Sequence, residues 1–187
     1  MSYVTSYYNQ TIRIDDYHHR KKTILNMAAL QVIELFAGND PQGRAIVERL
    51  SVRQNEDNSV QLVKSPAFIR GLASGGDKIQ LVPDTKEFII KQHSGNLCIR
   101  VYAKQGLEAI NEQLTPEFEK LGGELDTETP RFLVYSIHVS CGFKTIELLL
   151  NRHVGNNHQA MWAYGNVYDP VDGVTPLNWW NKILQPE

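Results

Sequence analysis

Leu97-Cys-Ile-Arg-Val-Tyr-Ala103 carries an apolar side chain at every second position: Leu97, Ile99, Val101 and Ala103. A period of two is that of a strand, and it sends Cys98, Arg100 and Tyr102 to the opposite face. The pattern then turns helical, with Leu107, Ile110, Leu114, Phe118 and Leu121 along one stripe and Gly122-Gly123 at its end. Thr115-Pro116 falls inside this stretch and predicts a break or kink, with Thr115 capping a second helix that starts at Pro116. Gly123–Thr127 and Phe132–Val139 read as strands paired through the turn at Glu128-Thr-Pro130. Phe143–Val154 reads as a helix and Gln159–Val167 as the last strand. Strand, helix, strand, strand, helix, strand is the ferredoxin-like (βαββαβ) order, and right-handed crossovers put both helices on one side of the sheet.

Upstream, residues 44–92 read as short strands separated by turns: Ala45–Arg53, Ser59–Lys64, Lys78–Pro83 and Glu87–Gln92. So many short strands with close turns predict a small, antiparallel, barrel-like sheet. Thr23–Ala37 carries Ile24, Met27, Ala28, Val32 and Leu35 at helical spacing, with Thr23 as N-cap and Gly38 as stop. Thr11–Asp15 alternates well enough for a short strand. The fold expected is therefore α+β: an N-terminal helix plus short-strand β domain (1–92), a ferredoxin-like α/β sandwich (93–168) and a Trp-containing tail (169–187). In the tail a short amphipathic helix over Leu177–Leu184 is expected to dock its Trp179-Trp180 pair onto its own domain.

Composition narrows the function classes. A chain of 187 residues, 42% hydrophobic and 21% charged, has the make-up of an ordinary globular protein with a substantial core. A net charge of −2 gives no overall pull toward nucleic-acid phosphates or anionic membranes. Cys98 and Cys141 follow no metal or redox spacing and read as two buried thiols. The amino terminus lacks the basic leader and apolar core of a secretory signal, and Ile24–Ala37 is too short and too polar to span a bilayer. A cytoplasmic location is expected. Of the six histidines, His18-His19 are adjacent and His153 and His158 straddle a helix end, so no metal and no cofactor are expected. Ser140 and Cys141 lie outside any nucleophile-elbow context, and the paired glycines lack the repeat that wraps a phosphate. The acidic run Glu124-Leu-Asp-Thr-Glu128 reads as solvated.

Two segments of the middle carry a family resemblance. Ser65-Pro-Ala-Phe-Ile-Arg-Gly-Leu-Ala-Ser-Gly-Gly-Asp77 and His93-Ser-Gly-Asn-Leu-Cys-Ile-Arg100 resemble a bacterial family catalogued as domain of unknown function 4265. Glu48-Arg-Leu50 looks like the start of its first shared strand and Trp162-Ala-Tyr164 its closing one, so the resemblance spans roughly residues 46–168. Ser51 stands where family members tend to carry a tryptophan, and an extra glycine precedes Asp77. The resemblance implies no activity.

Strand parity supplies the candidate site. If Leu133, Tyr135, Ile137 and Val139 face the helices, then His138 faces away. If Met161 and Ala163 point inward, Trp162 and Tyr164 point outward. The reverse of the sheet would then gather Arg100, Tyr102, His138, Trp162 and Tyr164 as a partner-binding face. Three readings compete for it: an interface with the amino-terminal strands, a docking surface for another protein, or a platform for RNA stacking. The working expectation is a non-catalytic binding protein, of the kind that acts as a bacterial immunity or inhibitor protein against a cognate toxin. An RNA-binding module and an enzyme of unknown class are the alternatives.

Overall fold

The computed structural model describes residues 30–155 and 157–185. The strand expected over 11–15 and residues 23–29 of the expected helix lie outside the described residues. From residue 30 the helix expectation fails, because Leu30–Asn39 is a strand, β1. Its sequence satisfies both a helical stripe and a strand alternation, and pairing decides between them. β1 runs antiparallel to β2 (Ala45–Gln54) along its length, with Ile33, Leu35 and Ala37 turned into the core and Leu30, Val32 and Phe36 exposed. Gly38 is not a helix stop. It sits at φ +129° where the β1–β2 register slips, a bulge geometry open to a residue without Cβ.

β3 (Val60–Leu62), β4 (Lys78–Leu81) and β5 (Phe88–Gln92) continue an antiparallel meander, so the first sheet runs β1-β2-β3-β4-β5. The expected barrel does not close. Among the described residues β1 and β5 share no ladder; near these edges, Phe36 N donates to Lys86 O at 2.9 Å and Lys86 pairs with Glu34 at 2.7 Å.

The second sheet holds β6 (Asn96–Ala103), β7 (Glu124–Glu128), β8 (Phe132–His138) and β9 (Ala160–Tyr164), ordered β7-β8-β6-β9 with every neighbour antiparallel. Helices α1 (Leu107–Lys120) and α2 (Phe143–Leu150) cover one face, α2 passing into a π-turn over Asn151–Gly155. Leu107, Ile110, Leu114 and Phe118 of α1 and Ile146 and Leu150 of α2 pack on Leu97, Ile99, Val101, Leu133, Tyr135 and Ile137. The break expected at Thr115-Pro116 is absent, and α1 runs through both residues. Pro116 and Glu112 are on the exposed side, so the carbonyl that loses its intrahelical donor can take one from water. Thr115 is meanwhile fixed to the sheet by a 2.7 Å hydrogen bond with the Tyr135 hydroxyl. The α+β class read from the sequence is the one observed, with both sheets antiparallel.

Residues 63–77 carry no strand or helix, yet much of this segment is buried between the two sheets. Irregular backbone in such a place needs a partner for each N–H and C=O. Side chains from both sheets provide them. From β2, the Glu48 carboxylate accepts from the N–H groups of Ala67 (2.6 Å), Phe68 (2.9 Å) and Ile69 (3.0 Å). From β6, Arg100 donates through Nε to Pro66 O at 3.2 Å and through Nη2 to Ile69 O, and the Tyr102 hydroxyl donates to Ala67 O at 3.3 Å. Asp126 of β7 accepts from Ser65 N at 2.9 Å; expected in solvent, it is buried instead. At the loop's end Asp77 accepts from Ala73 N (2.8 Å) and Ser94 N (2.6 Å). The loop's apolar side chains divide the same way. Ile69 and Leu72 enter the first core, while Ala67 and Ala73 meet Cys98 and Val134 on the back of the second sheet.

Glu48→Gln replaces one accepting oxygen by an amide that faces backbone N–H groups. It is expected to cost about 1–3 kcal/mol. Urea denaturation reads this directly, against Glu56→Gln in the exposed turn as a control expected within about 0.5 kcal/mol of wild type.

Candidate functional site

The five side chains expected on one face divide between two. Arg100 and Tyr102 lie on the face away from the helices, as the alternation of β6 requires, and loop 63–77 covers them there. Trp162 and Tyr164 lie on the helix side. The cause is register. Val101 pairs with Trp162 and Ile99 with Tyr164, directly paired residues share a face, and Val101 and Ile99 belong to the helix-side core. Trp162 Nε1 donates to Asn151 Oδ1 at 3.1 Å, the Tyr164 hydroxyl donates to Glu147 Oε1 at 3.3 Å, and the Tyr164 ring meets Phe143 edge-on at 5.6 Å. Met161 and Ala163, expected inward, take the other face, and Met161 is 61% exposed. His138 stands apart at the end of β8, with its Nδ1 2.7 Å from Ser140 Oγ and its ring against Gly95 beside the tail.

β9 is nevertheless the common neighbour of four of the five. It forms one edge of the second sheet, and at that edge a cavity of about 500 Å³ is walled by Arg100, Tyr102, Trp162 and Tyr164 together with Arg70 and Glu147. The cavity wraps around the edge strand, so side chains from both faces reach it. Arg70 and Glu147 carried no signal of their own in the sequence. Arg70 was visible only as part of the Ser65–Asp77 segment, and Glu147 only as a polar position of a helix.

Its electrostatics follow from burial. Burial, together with the Glu147 carboxylate it faces, holds the Tyr164 phenol far above its usual range and keeps it a hydrogen-bond donor. Burial also raises the Tyr102 phenol, against the opposing pull of the Arg100 guanidinium. Under the loop, burial pushes the Cys98 thiol up to about 11, so it stays protonated and unreactive near neutrality. Both cysteines are free, Cys98 buried and Cys141 half-buried. Among the described residues no group of three or more His, Cys, Asp or Glu side chains could hold a metal ion, and no helix is long and apolar enough to cross a membrane.

The tail docks on its own fold. Trp179 stacks on His93 with ring centroids 4.7 Å apart and donates from Nε1 to Asn166 O at 2.7 Å, while Trp180 meets Phe143 at 5.1 Å. The helix expected over Leu177–Leu184 is reduced to one turn, α3 (Asn181–Leu184).

The raised phenols fix the sign of an alkaline transition. Burial moves Tyr135 from 10.0 to about 12, so above pH 10 the unfolded chain loses protons that the folded one keeps. The Tyr135 contribution should be constant below pH 10 and fall as pH rises from 10 toward 12, by about 2 kcal/mol. The Cys98 thiol, raised from 9.0 to about 11, adds a fall that begins near pH 9. Urea midpoints across this range, read with phenolate absorbance, check it. Tyr135→Phe should make the fall shallower, leaving the part that Tyr164, Tyr102 and Cys98 contribute.

The family model described as Domain of unknown function (DUF4265) matches residues 48–163. Among solved structures the chain resembles the one described as "Novel crystal structure of a hypothetical protein from Neisseria gonorrhoeae", at 16% identity and a TM-score of 0.58, over 75% of this chain and 95% of that chain. At that identity the likeness is one of fold. No curated protein matches the chain. The matched residues run from Glu48, which holds the buried loop, through Arg100 to Ala163 on the edge strand, and this chain belongs to the DUF4265 family.

Proposed function

We propose that the protein is a non-catalytic binding protein that engages another protein at the β9 edge, in the manner of an immunity or inhibitor protein that neutralises a toxin by direct contact. The observation that carries this reading is the state of that edge. β9 is a terminal strand that pairs only with β6 among the described residues, and exposed Met161 and Tyr168 line the aromatic cavity beside it. An open strand edge offers a row of backbone donors and acceptors to an incoming extended segment, and aromatic and arginine side chains beside it are those that anchor interfaces. RNA stacking on the sheet face finds less support, since Tyr102 is bonded to Ala67 O and Phe132 packs edge-on against Phe68 at 5.6 Å.

The same reading treats residues 93–168 as a ferredoxin-like unit, 1–92 as a β domain set beside it and 169–187 as a docked tail, all in the cytoplasm. The order β7-β8-β6-β9, with a helix after β6 and another after β8, supports the first assignment, and two separate hydrophobic cores support the division. The test is capture from the native host with wild-type protein and with Met161→Lys, which places a charge on the exposed edge without entering the core. Wild type should retain one partner in 1:1 ratio, and the variant should lower its affinity at least about tenfold with an unchanged unfolding temperature. Equal retention by both proteins, or no stoichiometric partner, overturns the proposal.

A further inference from the structure

Arg100 is 6% exposed, and a guanidinium so deeply buried is stable only where its charge and its donors are matched. Loop 63–77 matches part of it. Nε and Nη2 are taken by the carbonyls of Pro66 and Ile69, whereas Nη1 has no hydrogen-bond partner and no carboxylate forms an ion pair with Arg100 among the described residues. Within the protein the charge is thus held by neutral carbonyls, and Nη1, which is not sealed from solvent, belongs to a side chain that forms part of the wall of the β9 cavity. Gly165 keeps that wall open: a Cβ there would come within 2.6 Å of Cys98 Sγ and 3.1 Å of Arg100 Nε and Nη2.

The other charged groups at the cavity are already engaged. Glu147 accepts from the Tyr164 hydroxyl, Asp169 accepts from Val171 N at 2.7 Å, and Arg70 donates to Pro170 O at 3.3 Å. Arg70 is exposed, so water screens its charge, whereas Arg100 is a buried cation at the cavity with no carboxylate ion pair among the described residues. With two carboxylates on the rim a dianion such as phosphate is disfavoured. A monoanion that accepts from the two N–H groups of Nη1 and lays an apolar body against Trp162 and Tyr164 suits both the chemistry and the room of about 500 Å³.

We infer that the β9 cavity is a carboxylate-binding pocket anchored by Arg100. The inference rests on the binding reading above for the source of the carboxylate, a partner's chain end or an acidic side chain, but not for the existence of the pocket. Ala163 gives an internal probe. It pairs directly with Arg100 across the β6–β9 ladder and shares its face, so Ala163→Asp sets a carboxylate beside the guanidinium, and Ala163→Asn sets a neutral group of the same shape.

Three measurements on the whole chain test it. In an NMR titration, benzoate should shift the Ala163 and Gly165 amides and the Arg100 Nε–H saturably, with an affinity at least about tenfold above that of its neutral isostere benzamide. Ala163→Asp should abolish the benzoate response and melt at a higher temperature than Ala163→Asn. Short peptides with a free C-terminus binding better than amidated ones identify a chain end as the source; equal binding of amidated peptides that carry an internal aspartate identifies a side chain. Equal response to benzoate and benzamide, or Ala163→Asp melting no higher than Ala163→Asn, overturns the inference. Because these probes contain no partner, that failure leaves the Met161→Lys capture result standing, and the converse holds as well.

Discussion

A stretch of irregular chain buried between two sheets has to find a partner for each amide and carbonyl it takes out of water, and neighbouring backbone provides only some, as where Val63 N donates to Ser51 O and Gly71 N to Gly165 O. In this protein charged side chains provide others from both directions. Glu48 gathers three successive amides of residues 67–69, and Arg100 takes the carbonyls of Pro66 and Ile69 from the opposite side. Asp126 and Asp77 hold the ends. Removing one of these groups leaves buried donors or acceptors unsatisfied, which costs about 1–3 kcal/mol where an average hydrogen bond gains about 1. The loop is therefore a middle layer of the structure rather than a surface connection.

That layer makes one body of two sheets with separate cores. Ile69 and Leu72 belong to the core of the first sheet, and Ala67 and Ala73 close the back of the second. It also determines what the second sheet can offer to a partner. With the loop over Arg100 and Tyr102, the part of the sheet left open beside the aromatic cavity is its β9 edge, where Met161 is exposed and Trp162 and Tyr164 are anchored to α2 and its π-turn. The clasp that stabilises the loop uses two of the guanidinium's three nitrogens and leaves the third at the wall of that cavity. Stability and the candidate site thus share one residue.

Much of this was legible in the residues wherever a period was unambiguous. β6 and β8 alternate cleanly, and both their faces and the stripe of α1 follow from spacing alone. Legibility failed where two physical demands give the same pattern. Leu30–Asn39 fits a helix and a strand equally, and only the pairing with β2 separates them. In β9 the apolar Met161 and Ala163 resemble core residues beside the bulky, polar-tipped Trp162 and Tyr164. Yet register with β6 turns the aromatics inward, where Asn151 and Glu147 accept their polar ends. Asp126 reads as one of several acidic side chains in a row, and nothing local reveals that Ser65, far off in sequence, supplies its donor. The missing information was in each case a long-range contact.

Amide hydrogen exchange at the buried loop bears most directly on this account. If Glu48, Arg100, Asp77 and Asp126 hold residues 63–77 as part of the interior, the amides of Ala67, Ile69 and Ala73 should exchange as slowly as those of Leu97 and Ile99 in β6, through global unfolding alone. Exchange of the loop amides at the rate of the exposed turn at 55–58, while β6 stays protected, would contradict it.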